Sequence, residues 1–216
     1  MGLRTLQCTQ FTLGGWSAKG RGRSLREGHT MAVKRHHAGG YDLAKQVYFV
    51  GFMGAGKTTV SGYLATTLGL PSIDADEYLE LLEDRVIADI FAEDGEDYFR
   101  DLETEYLEDL SQRSPRFIGT GGGVVKRACN VDIMKKYGFI IYLGVTADEA
   151  SSRIPNTDSR PLFKDIETAR RTVLEREPLY AAAADAYVNT TGRTVQEICA
   201  EVKQILIDNG VLIEEC

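Results

Sequence analysis

The chain is expected to form an α/β domain, a parallel sheet of five short strands with helices on both faces. Three observations lead there. Short apolar, β-branched or aromatic runs recur at Val47–Val50, Ser72–Ile73, Phe117–Gly119, Phe139–Leu143 and Ala186–Asn189. The stretches between them carry helical spacing, and strands alternating with helices imply parallel pairing with both sheet faces covered. The first run leads directly into Gly51-Phe-Met-Gly-Ala-Gly-Lys-Thr58, a glycine loop that opens a helix.

Each element follows from its residues. Val47–Val50 is a buried strand ending at glycine. Lys57–Leu68 is rich in helix formers and stops at Gly69. Pro71 lacks a ladder donor, so the strand carrying Ser72 and Ile73 belongs at a sheet edge. Two or three helices fill 77–112, with Ile87, Ile90 and Phe91, then Phe99, Leu102, Tyr106 and Leu110, at helical spacing. Phe117–Gly119 runs into the triple glycine Gly121-Gly122-Gly123. A helix over about 194–209 closes the domain.

Composition narrows the function classes. The 216 residues carry a formal net charge of −7. Residues 1–40 hold seven basic groups against Glu27, a net +6, which leaves −13 on the remainder. So acidic a body repels nucleic acid phosphates. No apolar run approaches the ~20 residues needed to cross a bilayer. Cys8, Cys129, Cys199 and Cys216 lie far apart, which suits reduced thiols rather than a disulfide or metal framework. His29, His36 and His37 all fall in the first 40 residues. Acid–base chemistry in the body must therefore use carboxylates, lysine or water.

Residues 1–40 are expected to be a disordered or loosely ordered basic extension, with the folded domain at 41–216. Three accounts of the extension stay open: a simple appendage, a targeting leader, or a reading in which Met31 is the true start.

Residues 51–58 complete the G-x-x-x-x-G-K-[ST] pattern in the strand-to-helix context it requires. Gly51, Gly54 and Gly56 let the backbone curl so that its amides face phosphate oxygens, and the following helix adds its positive end. Lys57 would reach the β- and γ-phosphates, and the Thr58 hydroxyl would ligate magnesium. The loop thus points to nucleotide binding without naming an acceptor.

Four further features bear on the acceptor. Asp74 and Asp76 end the second strand, where open α/β sheets gather ligands. They can divide metal and hydroxyl contacts, or simply cap the next helix. Arg100, with Glu103 three positions on, is either an exposed ion pair or an oriented fork for a substrate carboxylate. The triple glycine is either a flexible turn or a backbone closely approached by a ligand. Arg153, Arg160 and Arg176 surround a segment with Pro155, Asn156 and Pro161 that resembles a lid.

Taken in order, these segments resemble the shikimate kinase family. The matching stretches are GFMGAGKTTV at 51–60, DADEYLE at 74–80, IADIFAEDGEDYFRDLE at 87–103, TGGGVV at 120–125, SRPLF at 159–163 and EREPLY at 175–180. The resemblance implies a P-loop kinase fold of three α/β/α layers, akin to nucleoside monophosphate kinases, with a short lid. It implies transfer of the ATP γ-phosphoryl group to the 3-hydroxyl of shikimate, toward chorismate and the aromatic amino acids. Gly54, Ala55, Gly56, Lys57, Thr58 and Thr59 would hold the ATP phosphates. Arg153 would flank the adenine, and Arg160 would be the lid arginine on the transferring phosphate. Mg2+ would sit at Thr58 and, through water, Asp74. Asp76 would bind the substrate hydroxyls as candidate base, Arg100 and Arg176 its carboxylate, with Gly121, Gly122 and Gly123, Phe91 and Phe99 lining the pocket. Lys57, Asp76 and Arg160 would be the catalytic set. The implied protein is a cytoplasmic monomer with no nucleic acid or membrane partner. Two rival readings are a gluconate kinase of the same fold, and a non-catalytic nucleotide-binding module, whose expected loss of Lys57, Asp76 or the lid arginine is not seen.

Overall fold

The computed structural model describes residues 40–153 and 166–214. These all fall in one of the chain's two units, His36–Cys216. Residues 1–39 of the basic extension and Arg160 lie outside the described residues.

In chain order the elements are β1 (Tyr41–Leu43), β2 (Gln46–Val50), α1 (Lys57–Leu68), β3 (Ser72–Asp74), α2 (Ala75–Glu83), α3 (Ile87–Glu93), α4 (Gly95–Ser111) and β4 (Phe117–Gly119). After a 3-10 turn at Val124–Lys126 come α5 (Ala128–Tyr137), β5 (Gly138–Gly144), α6 (Ala147–Ser152), α7 (Ile166–Ala183), β6 (Ala186–Asn189), α8 (Val195–Asp208) and β7 (Leu212–Glu214). Five strands form one parallel sheet in the order β3-β4-β2-β5-β6. The expected sheet is there, and β3, preceded by Pro71, is an edge.

The central strand β2 is buried throughout. Alternation sends Val47 and Phe49 into the core beneath α1 and α8, with Leu64, Ile141, Val202 and Leu206. Tyr48 and Val50 enter the opposite core, with Leu107, Leu110, Met134 and Ile140. Each fully buried aliphatic side chain in these layers contributes roughly 1.5–3 kcal/mol. A third cluster, Leu79, Ile90, Phe99 and Leu102, binds α2, α3 and α4 to one another.

The buried Gln46 side chain ties the layers together. Its amide donates to the Arg113 carbonyl at 2.8 Å, and its oxygen accepts from the Arg116 amide at 3.0 Å. This sets the start of β4 against the end of α4.

One feature differs from the sequence reading. The domain does not close on α8, because β7 returns to pair antiparallel with β1 in a separate two-stranded ribbon. The ribbon is held by Tyr41 donating to Glu214 at 2.9 Å and by Lys203 over the Tyr41 ring at 4.3 Å. Three-residue strands carry too few positions for alternation to register.

Candidate active site

The glycine loop leaves β2 at the centre of the sheet and turns by positive φ at Gly51 (145°), Gly54 (79°) and Gly56 (91°). Space demands glycine at two of these positions. A Cβ on Gly51 would meet the Leu143 carbonyl oxygen at 2.4 Å, and one on Gly54 would meet that of Ala150 at 2.7 Å. Gly56 caps α1 with no side-chain acceptor for its first amides. That leaves the helix end suited to an anion. Lys57 donates to the carbonyls of Gly51 at 2.9 Å and Phe52 at 3.0 Å, which places its ammonium at the loop's mouth. Ala55 is buried under the loop, while Thr58 and Thr59 are exposed.

Thr58 donates its hydroxyl to Asp74 Oδ2 at 2.5 Å. The other oxygen of Asp74 accepts from the Asp76 and Glu77 amides at 2.9 and 3.3 Å. Asp74 therefore caps α2, and its other oxygen faces the phosphate loop through Thr58. The cap fixes Asp76 in the first turn of α2.

The triple glycine is the joint of the site. Thr120 anchors it to β2, donating its amide and hydroxyl to the Phe49 carbonyl at 3.2 and 2.9 Å. Gly122 then lies beside the loop, where an added Cβ would be 3.6 Å from the Met53 nitrogen. A Cβ on Gly121 would fall 2.7 Å from Asp76 Oδ1 and 3.0 Å from Glu103 Oε1. One on Gly123 would fall 2.5–2.7 Å from the Arg100 guanidinium. The three glycines thus form a bare strap between the phosphate loop on one side and Asp76, Arg100 and Glu103 on the other. They are not a slack turn.

Arg100 stands on α4 between two carboxylates. Nη1 donates to Glu103 at 2.7 Å, and Nη2 lies 3.3 Å from Glu96. Its guanidinium also lies over the Phe99 ring at 5.0 Å, and Phe99 packs on Phe91 at 4.6 Å between centroids. Glu103 is buried, and its Oε1 is the one buried side-chain oxygen without a partner among the described residues. Burial raises its carboxyl above the usual range, with the Arg100 charge opposing. Glu96 is held below its usual value, first by the Lys126 hydrogen bond at 2.6 Å.

From α7, Arg176 reaches the same strap, donating to the Gly122 carbonyl at 3.3 Å. Arg153 approaches the phosphate loop from the far side. Its guanidinium donates to the Gly54 carbonyl at 3.3 Å and to the Thr190 hydroxyl and carbonyl at 3.1 and 2.6 Å, and it pairs with Glu149 at 2.5 Å. Its edges bind the loop to the end of β6.

The structure therefore brings Lys57, Thr58, Asp74, Asp76, Phe91, Phe99, Arg100, Gly121–Gly123 and Arg176 to one cleft at the carboxyl ends of β2, β3 and β4. Two depressions of about 320 and 370 Å3 lie elsewhere, against the edge strand β6 and lined by Tyr142, Glu177 and Tyr187. Neither includes the phosphate loop, whereas the charged side chains gather in the open cleft. The sequence reading gave no role to Lys126, which braces Glu96, or to Tyr180, which donates to Gly122. A signal for Tyr180 was available, since it stands four positions after Arg176 on one helix face.

The family model described as shikimate kinase matches residues 53–207. A shikimate kinase of Dehalococcoides mccartyi is 38% identical over 162 residues, covering 74% of this chain and 92% of that protein. One from Bacillus mycoides is also 38% identical over 162 residues, covering 74% and 97%. Among solved structures, the shikimate kinase from Acinetobacter baumannii in complex with shikimate superposes with a TM-score of 0.72 at 33% identity, covering 76% of this chain and 94% of that one.

Proposed function

The chain belongs to the shikimate kinase family and phosphorylates shikimate with ATP, and we propose that the acceptor is the 3-hydroxyl and that the cleft described above carries the transfer. The observation supporting this most directly is the strap. Gly122 adjoins the phosphate loop while Gly121 and Gly123 lie against Asp76, Glu103 and Arg100. An acceptor seated there stands next to the tail of a nucleotide in the loop.

In this reading the amides of Gly54–Thr59 and the Lys57 ammonium hold the ATP phosphates. Arg100 and Arg176 bind the acceptor carboxylate, and Phe91 and Phe99 cover the apolar side of its ring. Asp76 accepts a hydrogen bond from the 3-hydroxyl and aims its oxygen at the γ-phosphorus. The new O–P bond forms as the bond to the β-phosphate oxygen breaks, ADP leaves, and the hydroxyl proton passes to Asp76. Lys57 and Arg160 offset the charge on the transferring group, with positioning as the main source of rate. Arg153 stacks its guanidinium face on the adenine.

Thr58 and Asp74 are a hydroxyl and a carboxylate side by side, hard oxygen donors that suit Mg2+. They would hold the ion, Asp74 through water, and bound Mg2+ supplies charge neutralisation at the phosphates. We further propose that the protein acts as a cytoplasmic monomer without nucleic acid or membrane partners. Among the described residues no helix is long and apolar enough to cross a membrane.

A coupled ADP-release assay with shikimate and gluconate as alternative acceptors tests this function. Turnover with shikimate is expected; turnover with gluconate alone would overturn it.

Glu103 supplies a second test. A carboxyl raised in the folded state binds its proton more tightly there than in the unfolded chain. Its contribution to stability is therefore present below the unfolded value and lost as pH rises through the folded one. Glu103→Gln removes this cost and keeps an acceptor for Arg100. The thermal midpoint near neutral pH should equal or exceed wild type, while the KM for shikimate rises about three- to tenfold as the Arg100 ion pair becomes a hydrogen bond to a neutral amide. A clear drop in midpoint would contradict the burial argument.

A further inference from the structure

Beyond the arginines and acids, one buried hydroxyl is aimed at the strap. Tyr180 is 1% exposed, and its phenol donates to the Gly122 carbonyl at 2.5 Å. Its ring stacks on Tyr142 of β5, with centroids 5.2 Å apart and planes 26° apart, so the sheet holds the ring in place. Arg176, one turn earlier on α7, donates to the same carbonyl at 3.3 Å. Gly121 and Gly123 are tied differently: their carbonyls accept from the Val124 and Lys126 amides of the following turn, at 3.2 and 2.9 Å. Arg176 and Tyr180 thus pin the central peptide from α7.

A carbonyl oxygen has two lone pairs, and Tyr180 and Arg176 serve both. Fixing the oxygen also fixes the Gly123 N–H, because in a trans peptide the two point in opposite directions. Three bare glycines have no side chains to hold this plane, so an outside donor must do it.

We propose that Tyr180 is a positioning residue for acceptor capture: its hydroxyl pins the Gly122 carbonyl, which sets the strap amides and the resting place of Arg176 opposite Asp76 and Arg100. This rests on the functional reading above and goes beyond it by adding a residue that need not touch substrate. Without the hydroxyl, the Gly122 oxygen has only Arg176 left, which draws that guanidinium onto the strap and away from an incoming carboxylate. Burial raises the Tyr180 hydroxyl to about 12, so it remains a donor throughout the working pH range.

Tyr180→Phe keeps the ring stack and removes only the donor. The expected result is a KM for shikimate about tenfold higher, with kcat and the KM for ATP within about twofold of wild type. Amide hydrogen exchange is the second readout and needs no substrate. Exchange over residues 121–126 should quicken, while that of α1 stays at the wild-type rate. Unchanged exchange in the strap overturns the proposal. So does a variant in which both KM values rise together as the thermal midpoint falls, since that marks a structural role only. If wild-type protein fails to phosphorylate shikimate, the functional reading falls, and exchange in the strap still decides whether Tyr180 pins it.

Discussion

Lys57→Ala should lower kcat for shikimate phosphorylation by at least about 10³-fold, on the order of 4 kcal/mol of transition-state stabilisation, while the fold survives. The ammonium stands at the mouth of the phosphate loop, held by the carbonyls of Gly51 and Phe52 at 2.9 and 3.0 Å. Arg153 also reaches the loop, but at the Gly54 carbonyl on its far side. With the lysine removed, the charge developing on the transferred phosphoryl group meets backbone dipoles but no cation from the loop. Stability should hardly change. Lys57 is the first residue of α1, where a positive charge opposes the helix dipole, and the packing of the helix rests on Val60, Leu64 and Leu68. The check is ADP release at saturating substrates together with a thermal melt. A rate near wild type with a normal melt would mean that the loop does not hold the transferring phosphate.

Gly123→Ala should cripple acceptor binding as severely as Arg100→Ala, raising the KM for shikimate about 10- to 100-fold with little effect on stability. Gly123 has φ near −105°, so alanine is tolerated by the backbone itself. The collision is with the guanidinium, three atoms of which lie 2.5–2.7 Å from the added carbon. A flexible side chain can swing aside at modest cost to the fold. Here swinging aside takes Arg100 off Glu103 and out of the cleft. The two substitutions act through one group, so the double variant should be no worse than Arg100→Ala alone. An unchanged KM in Gly123→Ala, or full additivity in the double variant, would place Arg100 outside the acceptor pocket.

Much of this site could be read from residue order. The phosphate loop needs consecutive amides and glycines between a strand and a helix, and all of these are adjacent in the chain. Pro71 marked the sheet edge because a missing N–H is a property of one residue. Spacing alone could not tell capping from ligand contact at Asp74; the fold shows one oxygen capping α2 and the other meeting Thr58. For the triple glycine, composition signalled a close approach but not by what. Each position has a different neighbour, with Asp76 and Glu103 at Gly121, Arg176 and Tyr180 at Gly122, and Arg100 at Gly123. The β1–β7 ribbon escaped notice, since its strands are short and pair across most of the chain.

Fold class and phosphate cradle were thus determined by the chain's own order, because hydrophobic period, turn chemistry and helix starts act over a few neighbouring residues. Which arginines and acids share a cleft was decided only by the folded sheet. The Arg176–Gly122 contact spans 54 positions and the Tyr180 contact 58, and such pairs meet because strand order and helix packing carry them together. No local pattern encodes that distance.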